Sequence, residues 1–377
     1  MTTNLRTKLS LIDEYLLNDK LDIEAGRAVV ISYDGETIFS KGFGKARLTG
    51  NVTDITTDTI MSIQSISKSF AATCIMSLVE KGLIQIEDPV VKYLPYFKLA
   101  NKEVSDSITV KQLLSHTSGL GMYPIANMAC TNRKEFPIFE KMYKDYHITK
   151  EMVAQIQKRE DITKSFSNVE LTYAPSNGWN YCSDAYAIIG DIIDKVAGEP
   201  WENYAQKHIF EPLQMTRTTL DPTVAMNDKN SARYYTMNVH SVKSYGQPNP
   251  ELPIVEAPFP SNPIASPIGF IYSTANDLTK YMTSQMGIGK YMILTNQSLQ
   301  TMHSTVKEID NKIGYGLGWF TRTFKDEIEI IEHGGGYVGV NSHILMVPKK
   351  KISIAVLSNY DKFQSQEVAT RILEYLI

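Results

Sequence analysis

Leu5, Leu9, Ile12 and Leu16 recur at intervals of four, three and four, the apolar stripe of an amphipathic first helix. Two β-prone runs follow, Arg27-Ala-Val-Val-Ile-Ser-Tyr33 and Glu36-Thr-Ile-Phe-Ser-Lys41. Between them stands Asp34-Gly35, the favoured pair for a two-residue hairpin turn. The far end mirrors this pattern. Segments 328–332, 338–347 and 352–358 read as strands, with Pro348-Lys-Lys-Lys351 turning between the last two, and 364–377 reads as a closing helix. From about 65 to 310 the pattern is mostly helical; Thr109-Val-Lys-Gln112 has capping-box spacing ahead of Leu113-Leu114. Six of the 16 prolines fall in 245–263, which predicts an ordered loop or flap there rather than helix or central strand. Strands at both ends around a helical middle predict one α/β domain over 1–377. Its antiparallel sheet is built from both termini (1–60 and 310–377) and flanked by helices, with a large helical insertion at 61–309.

Composition narrows the function classes. A chain of 377 residues with 43% hydrophobic and 21% charged residues has the make-up of a soluble globular protein. The net charge of −3 contains no basic footprint for nucleic acid. No apolar run approaches the roughly 20 residues that span a bilayer, so no membrane partner is expected. Residues 1–6 lack the features of an export signal, which predicts a cytoplasmic protein, or an extracytoplasmic one if the chain is a trimmed form. Cys74, Cys130 and Cys182 cannot all pair and show no zinc-ligand spacing; the seven histidines show no metal spacing either. Neither cofactor nor metal is expected.

The candidate chemistry begins at Ser65-Ile66-Ser67-Lys68, read as the start of a helix whose rows Ile66/Phe70/Cys74/Leu78 and Ala71/Ile75/Val79 face inward and which Gly82 ends. Residues three apart share a helix face, so the Lys68 amine can reach the Ser65 hydroxyl. A serine becomes a nucleophile when a neighbouring base takes its proton, and a helix start offers N–H groups to an oxyanion. Alone this tetrapeptide is weak, since a chain of this length holds on the order of two by chance. A second copy, Ser304-Thr-Val-Lys307, is present.

Context separates the copies. Tyr181-Cys182-Ser183 and then His333-Gly334-Gly335-Gly336 follow Ser65 in order. With them the sequence resembles the serine β-lactamase and penicillin-binding-protein family, in the branch of class C β-lactamases, DD-peptidases, D-aminopeptidases and related esterases. Weaker likenesses run from Asp88-Pro89 through Ser115-His116-Thr117-Ser118-Gly119, Tyr272-Ser-Thr-Ala-Asn-Asp-Leu278 and Gly314-Tyr-Gly-Leu-Gly-Trp319 to Val356-Leu-Ser-Asn359. The resemblance implies a β-lactamase/transpeptidase-like fold. It also implies a serine hydrolase that forms an acyl-enzyme on esters, D-amino-acid amides, peptides or β-lactams. Ser65 would be the nucleophile, Lys68 its base and Tyr181 a proton-shuttling phenol, with Lys68 and His333 supplying the positive charge that phenol needs. The N–H groups of Ser65 and Gly336 would form the oxyanion hole, and Ser183, Gly334 and Gly335 would bind a small-molecule or short-peptide substrate. Ser304 lacks a Tyr-containing partner motif before His333 and is a decoy.

Two positions depart from the family pattern. Ser183 stands where Asn is usual and Gly334 where Thr is usual, which weakens the expected hold on a substrate amide and carboxylate. Preference for esters, or for amides without a free carboxylate, follows. His116 is expected to be structural, beneath the Thr117-Ser118-Gly119 turn, and Cys182 has no base at suitable spacing. An α/β-hydrolase is excluded because no Gly-x-Ser-x-Gly occurs. A catalytically silent or slowly acylated sensor on the same scaffold is the competing expectation. Segments 122–166 and 245–263 are expected to wall the cleft; the sequence leaves oligomeric state and physiological substrate open.

Overall fold

The computed structural model describes residues 3–19, 24–129, 143–237, 254–325 and 327–377. Helix α1 (Thr3–Asn18) leads into the hairpin of β1 (Arg27–Tyr33) and β2 (Glu36–Phe43). At its tip Asp34 (φ 51°) and Gly35 (φ 82°) adopt the two left-handed conformations that this turn demands. The other main-sheet strands come late in the chain: β3 (Lys307–Glu308), β4 (Ile313–Tyr315), β5 (Phe320–Phe324), β6 (Ile328–Tyr337), β7 (Val340–Val347) and β8 (Ile352–Ser358). They assemble in the order β2-β1-β8-β7-β6-β5-β4-β3, every neighbour antiparallel.

The first and last strands of this sheet are therefore adjacent, with Val29 opposite Val356. Asn359, fully buried just after β8, fastens the junction. Its Oδ1 accepts the Gly26 N–H (2.8 Å), and its Nδ2 donates to the carbonyls of Lys45, Ala46 and Arg233.

Side chains alternate across the sheet, as the period of two requires. Val29, Ile31, Ile330, Leu345 and Ile354 pack with Ile12 and Leu16 of α1 and with the closing helix Ser365–Leu376. Ala28, Val30, Ile331, Ile344 and Ala355 face the inserted helices. Each fully buried Val, Leu or Ile side chain is worth about 1.5–3 kcal/mol, and a one-residue slip would exchange the two faces, so register is firmly set.

Among the inserted helices are α2 (Ser67–Glu80), α3 (Val110–Leu114), α4 (Ala185–Ala197) and α5 (Ala275–Gln285). α3 carries the expected capping box: the Thr109 hydroxyl accepts the Gln112 N–H while the Gln112 side chain accepts that of Thr109. α2 turns its expected apolar rows inward and buries its remaining faces as well. It is buried on every side from Ser67 to Leu78, because α4 and other helices sheathe the face that a surface helix would show to water.

β6 runs straight through the glycines expected to lie between strands, because β7 pairs with it as far as Tyr337 opposite Val340. In the proline-rich stretch, Val255–Ala257 pairs with Tyr234–Thr236 in a two-stranded ribbon, with the prolines outside the paired residues; residues 245–253 lie outside the described residues. Among the described residues no helix is long and apolar enough to cross a membrane.

Candidate active site

Ser65 sits in a 3-10 turn, Gln64–Ile66, that runs directly into α2. From Thr59 to Leu78 every other residue is buried; Ser65 alone keeps access to solvent. Gln64 before it is held at φ 48°, an uncommon conformation for a residue with a side chain, and its Nε2 donates to Ser62 Oγ (2.7 Å). Strand β6 presses on this turn from the side. A Cβ at Gly335 would stand 2.0 Å from the Ile63 carbonyl oxygen, so only glycine allows the approach. At Gly336 a Cβ would meet nothing.

Lys68 is fully buried one turn on, and its Nζ donates to Ser65 Oγ (3.0 Å) and to the Ile268 carbonyl (2.7 Å). Nζ also lies 5.0 Å from the centre of the Tyr181 ring. Burial lowers its pKa to about 7, and the carboxyl of Asp184 partly opposes that shift. The Ile268 carbonyl belongs to the helical turn Ser266–Gly269, which is anchored from behind. There Ser266 Oγ accepts from Trp201 Nε1 and donates to Glu202, and the Arg159 guanidinium is paired with Asp194 and Glu202.

Asp184 was not among the expected residues. It fills the N-cap position of α4, where Asp before an apolar helix is a readable signal. Its carboxylate turns away from that helix and accepts the Ala126 N–H instead (2.8 Å). Burial raises its pKa to about 7, with Lys68 opposing. The two groups are a coupled pair whose titration belongs to both.

Tyr181 precedes it on the same loop. Burial pushes its phenol well above 10, with the Ser65 hydroxyl drawing it back somewhat, so it is a neutral phenol at physiological pH. Ser183, beyond it, is partly exposed. Cys182 is buried and its thiol is pushed up to about 12 by desolvation, which leaves it un-ionised. Cys74 is buried too, and Cys130 lies outside the described residues.

His333 points into the same cluster, but its surroundings disfavour the cation expected of it. It is buried among Tyr315, Phe320 and Lys68, and burial first, then Lys68, lowers its pKa to about 3. The ring is neutral. Its Nδ1 donates to the Gly334 carbonyl (2.7 Å), which leaves Nε2 to accept from the Tyr315 hydroxyl (3.2 Å). A Cβ at Gly334 would lie 3.3 Å from His343 Nδ1. A threonine there would therefore start out on the sheet face that holds the Glu332–Arg322–His343 cluster, opposite to His333.

β5 pairs with β6 only as far as Phe320 opposite Glu332. From His333 onward that edge of β6 carries no strand partner among the described residues. Trp179, Tyr181 and Phe320 cluster beside it, the Tyr181 and Phe320 rings within 13° of parallel and Trp179 edge-on to Phe320. The second Ser-x-x-Lys copy forms no cluster. Ser304 terminates the helix Asn296–His303 with its hydroxyl on the Gln300 carbonyl, and Lys307 turns to the Ser176 carbonyl. A groove of about 630 Å³ bordered by Asp34, Asp58, Arg217 and Lys280 lies elsewhere and contains none of these side chains. Of the expected cleft wall at 122–166, residues 130–142 lie outside the described residues.

The Beta-lactamase family profile matches residues 20–377. The chain is 27% identical over 352 residues to the protein flp of Staphylococcus aureus strain MW2, a match covering 93% of this chain and 62% of that protein. It thus spans about three-fifths of the length of that curated relative. Penicillin-binding protein 4* of Bacillus subtilis strain 168 is 25% identical over 349 residues, covering 90% of this chain and 69% of that one. Among solved structures, the octameric penicillin-binding protein homologue from Pyrococcus abyssi superposes with a TM-score of 0.79 at 27% identity, covering 99% of this chain and 77% of that chain.

Proposed function

The chain belongs to the beta-lactamase family and has its fold, and from that premise we propose that it is a serine hydrolase that cleaves esters or amides through an acyl-enzyme on Ser65. The observation that carries this is the 3.0 Å contact between Ser65 Oγ and a buried amine whose pKa is lowered to about 7. An ordinary lysine near 10.4 holds its proton at neutral pH; this one is free of it in a large fraction of molecules.

The neutral Lys68 amine takes the Ser65 proton as Oγ bonds to the substrate carbonyl carbon, and the N–H groups of Ser65 and Gly336 receive the oxyanion. Tyr181, a neutral phenol, gives its proton to the leaving group as its bond to carbon breaks and takes in return the proton that Lys68 received from Ser65. Water then adds to the ester of Ser65 while the same groups accept its proton. Ser65 is regenerated and the free acid leaves.

Neutral substrates suit this site best. With His333 uncharged, a substrate carboxylate would lose its hydration and gain no charge from His333, whereas the apolar rings of Trp179 and Phe320 favour an apolar leaving group. The test is steady-state turnover of p-nitrophenyl acetate and butyrate by the purified chain, with Ser65→Ala as control and a fluorophosphonate adduct mapped by mass spectrometry. Many turnovers, lost in Ser65→Ala, and label on Ser65 are expected. A single stoichiometric burst would favour the sensor; label on Ser304 would overturn the assignment of the nucleophile.

A further inference from the structure

One buried residue brackets Tyr181 from both sides along the chain. The His116 carbonyl accepts the N–H of Asn180 (3.0 Å), and His116 Nδ1 accepts the N–H of Cys182 (3.3 Å). Its ring lies 4.4 Å, centre to centre, from the Tyr181 ring and also touches Tyr186 and Tyr315. Because Nδ1 accepts, the neutral ring carries its proton on Nε2. The backbone of His116 is itself held at φ 59°, where an ordinary side chain is uncommon, and the Tyr173 hydroxyl adds a second hydrogen bond to its carbonyl (3.2 Å). Such conformations persist only where the surroundings over-determine them. Here the surroundings are the loop that presents the phenol.

We infer that His116 is the positioning residue for Tyr181, fixing the main chain on either side of it and the plane of its ring. This rests on the reading that Tyr181 moves a proton in the reaction. Proton transfer tolerates little displacement, and a misplacement of about 1 Å costs on the order of 100-fold in rate.

Asparagine is the informative substitute. It tolerates positive φ, and its Oδ1 can accept the Cys182 N–H in place of Nδ1, but it lacks the ring. On p-nitrophenyl acetate His116→Asn is expected to lose about tenfold in kcat and His116→Ala about 100-fold, with KM changed less than about threefold. Introduced into Tyr181→Phe, His116→Asn should cost less than about twofold more, because the group it positions is already gone.

Equal losses with and without the tyrosine hydroxyl would make His116 a general fold element and overturn the inference, as would wild-type kcat in folded His116→Asn. Should His116→Ala fail to fold, His116→Asn still decides. Wild-type kcat in Tyr181→Phe alone would instead overturn the reading of Tyr181 beneath it.

Discussion

The Tyr315 hydroxyl donates to His333 Nε2 while His333 Nδ1 donates to the adjoining Gly334 carbonyl. With both nitrogens engaged and the ring buried, a proton added to His333 would have to break the bond from Tyr315 and bring charge beside Lys68. The strand position that most invites an anion-binding cation therefore holds a neutral ring.

Discrimination against carboxylates should then be independent of pH where the protein works. For a matched pair of p-nitrophenyl hemisuccinate and its methyl ester, the ratio of kcat/KM values should favour the neutral ester and stay within about twofold between pH 6 and 8, since His333 titrates near 3. A ratio that swings toward the carboxylate as pH falls would mean that His333 becomes protonated in that range.

Ester hydrolysis should rise with pH through a limb near 7, because the amine must be neutral to accept the Ser65 proton. A drop of about tenfold is expected from the plateau to one unit below the limb. Asp184→Asn removes the negative charge that favours protonated Lys68, so its limb should move to lower pH. A limb above pH 9 in the wild type, or a move to higher pH in the variant, would contradict this electrostatic picture.

The buried amine of Lys68 carries a cost in stability. Its pKa is lower folded than unfolded, so the folded state is penalised most below about pH 7 and the penalty fades as pH rises toward the unfolded value. Lys68→Met, of similar volume, should be inactive yet more stable by about 1–3 kcal/mol at pH 6, with a smaller gain at pH 9. Urea melts at the two pH values measure this; a gain larger at pH 9 would reverse the sign.

Two adjacent glycines should respond in opposite ways. Gly335→Ala must displace the Ile63 carbonyl beside the Ser65 turn, which should lower stability by about 1–3 kcal/mol or more and sharply reduce turnover. Gly336→Ala meets open space and keeps its N–H, so its Tm should stay within a few degrees of wild type. Equal Tm losses would deny the close approach at Gly335.

Features written in local chemistry were legible in advance. Asp34-Gly35 makes its hairpin, Thr109 and Gln112 cap their helix, and the three-residue spacing from Ser65 to Lys68 becomes a hydrogen bond. What escaped depends on partners distant in sequence. Lys68 is held by the backbone carbonyl of Ile268, and a carbonyl leaves no mark in a residue type. Asp184 looks like a helix cap and is diverted to Ala126; His333 looks like a cation until its burial is known. Glycines lower strand propensity, so the continuation of β6 through 334–336 emerges only from its pairing with β7.

The adjacency of β1 and β8 has a consequence for how this protein is made. Synthesis delivers β1 and the Ser65–Lys68 turn early, but the sheet cannot close until β8 and Asn359 have left the ribosome. Until then β1 has a hairpin partner on one edge only, and the nascent helical region lacks the β6 edge that presses on the Ser65 turn. The waiting intermediate thus shows an open strand edge and an apolar sheet face, the features that chaperones engage. Hydrolytic competence should arrive all at once, as a report that β1 and β8 have met.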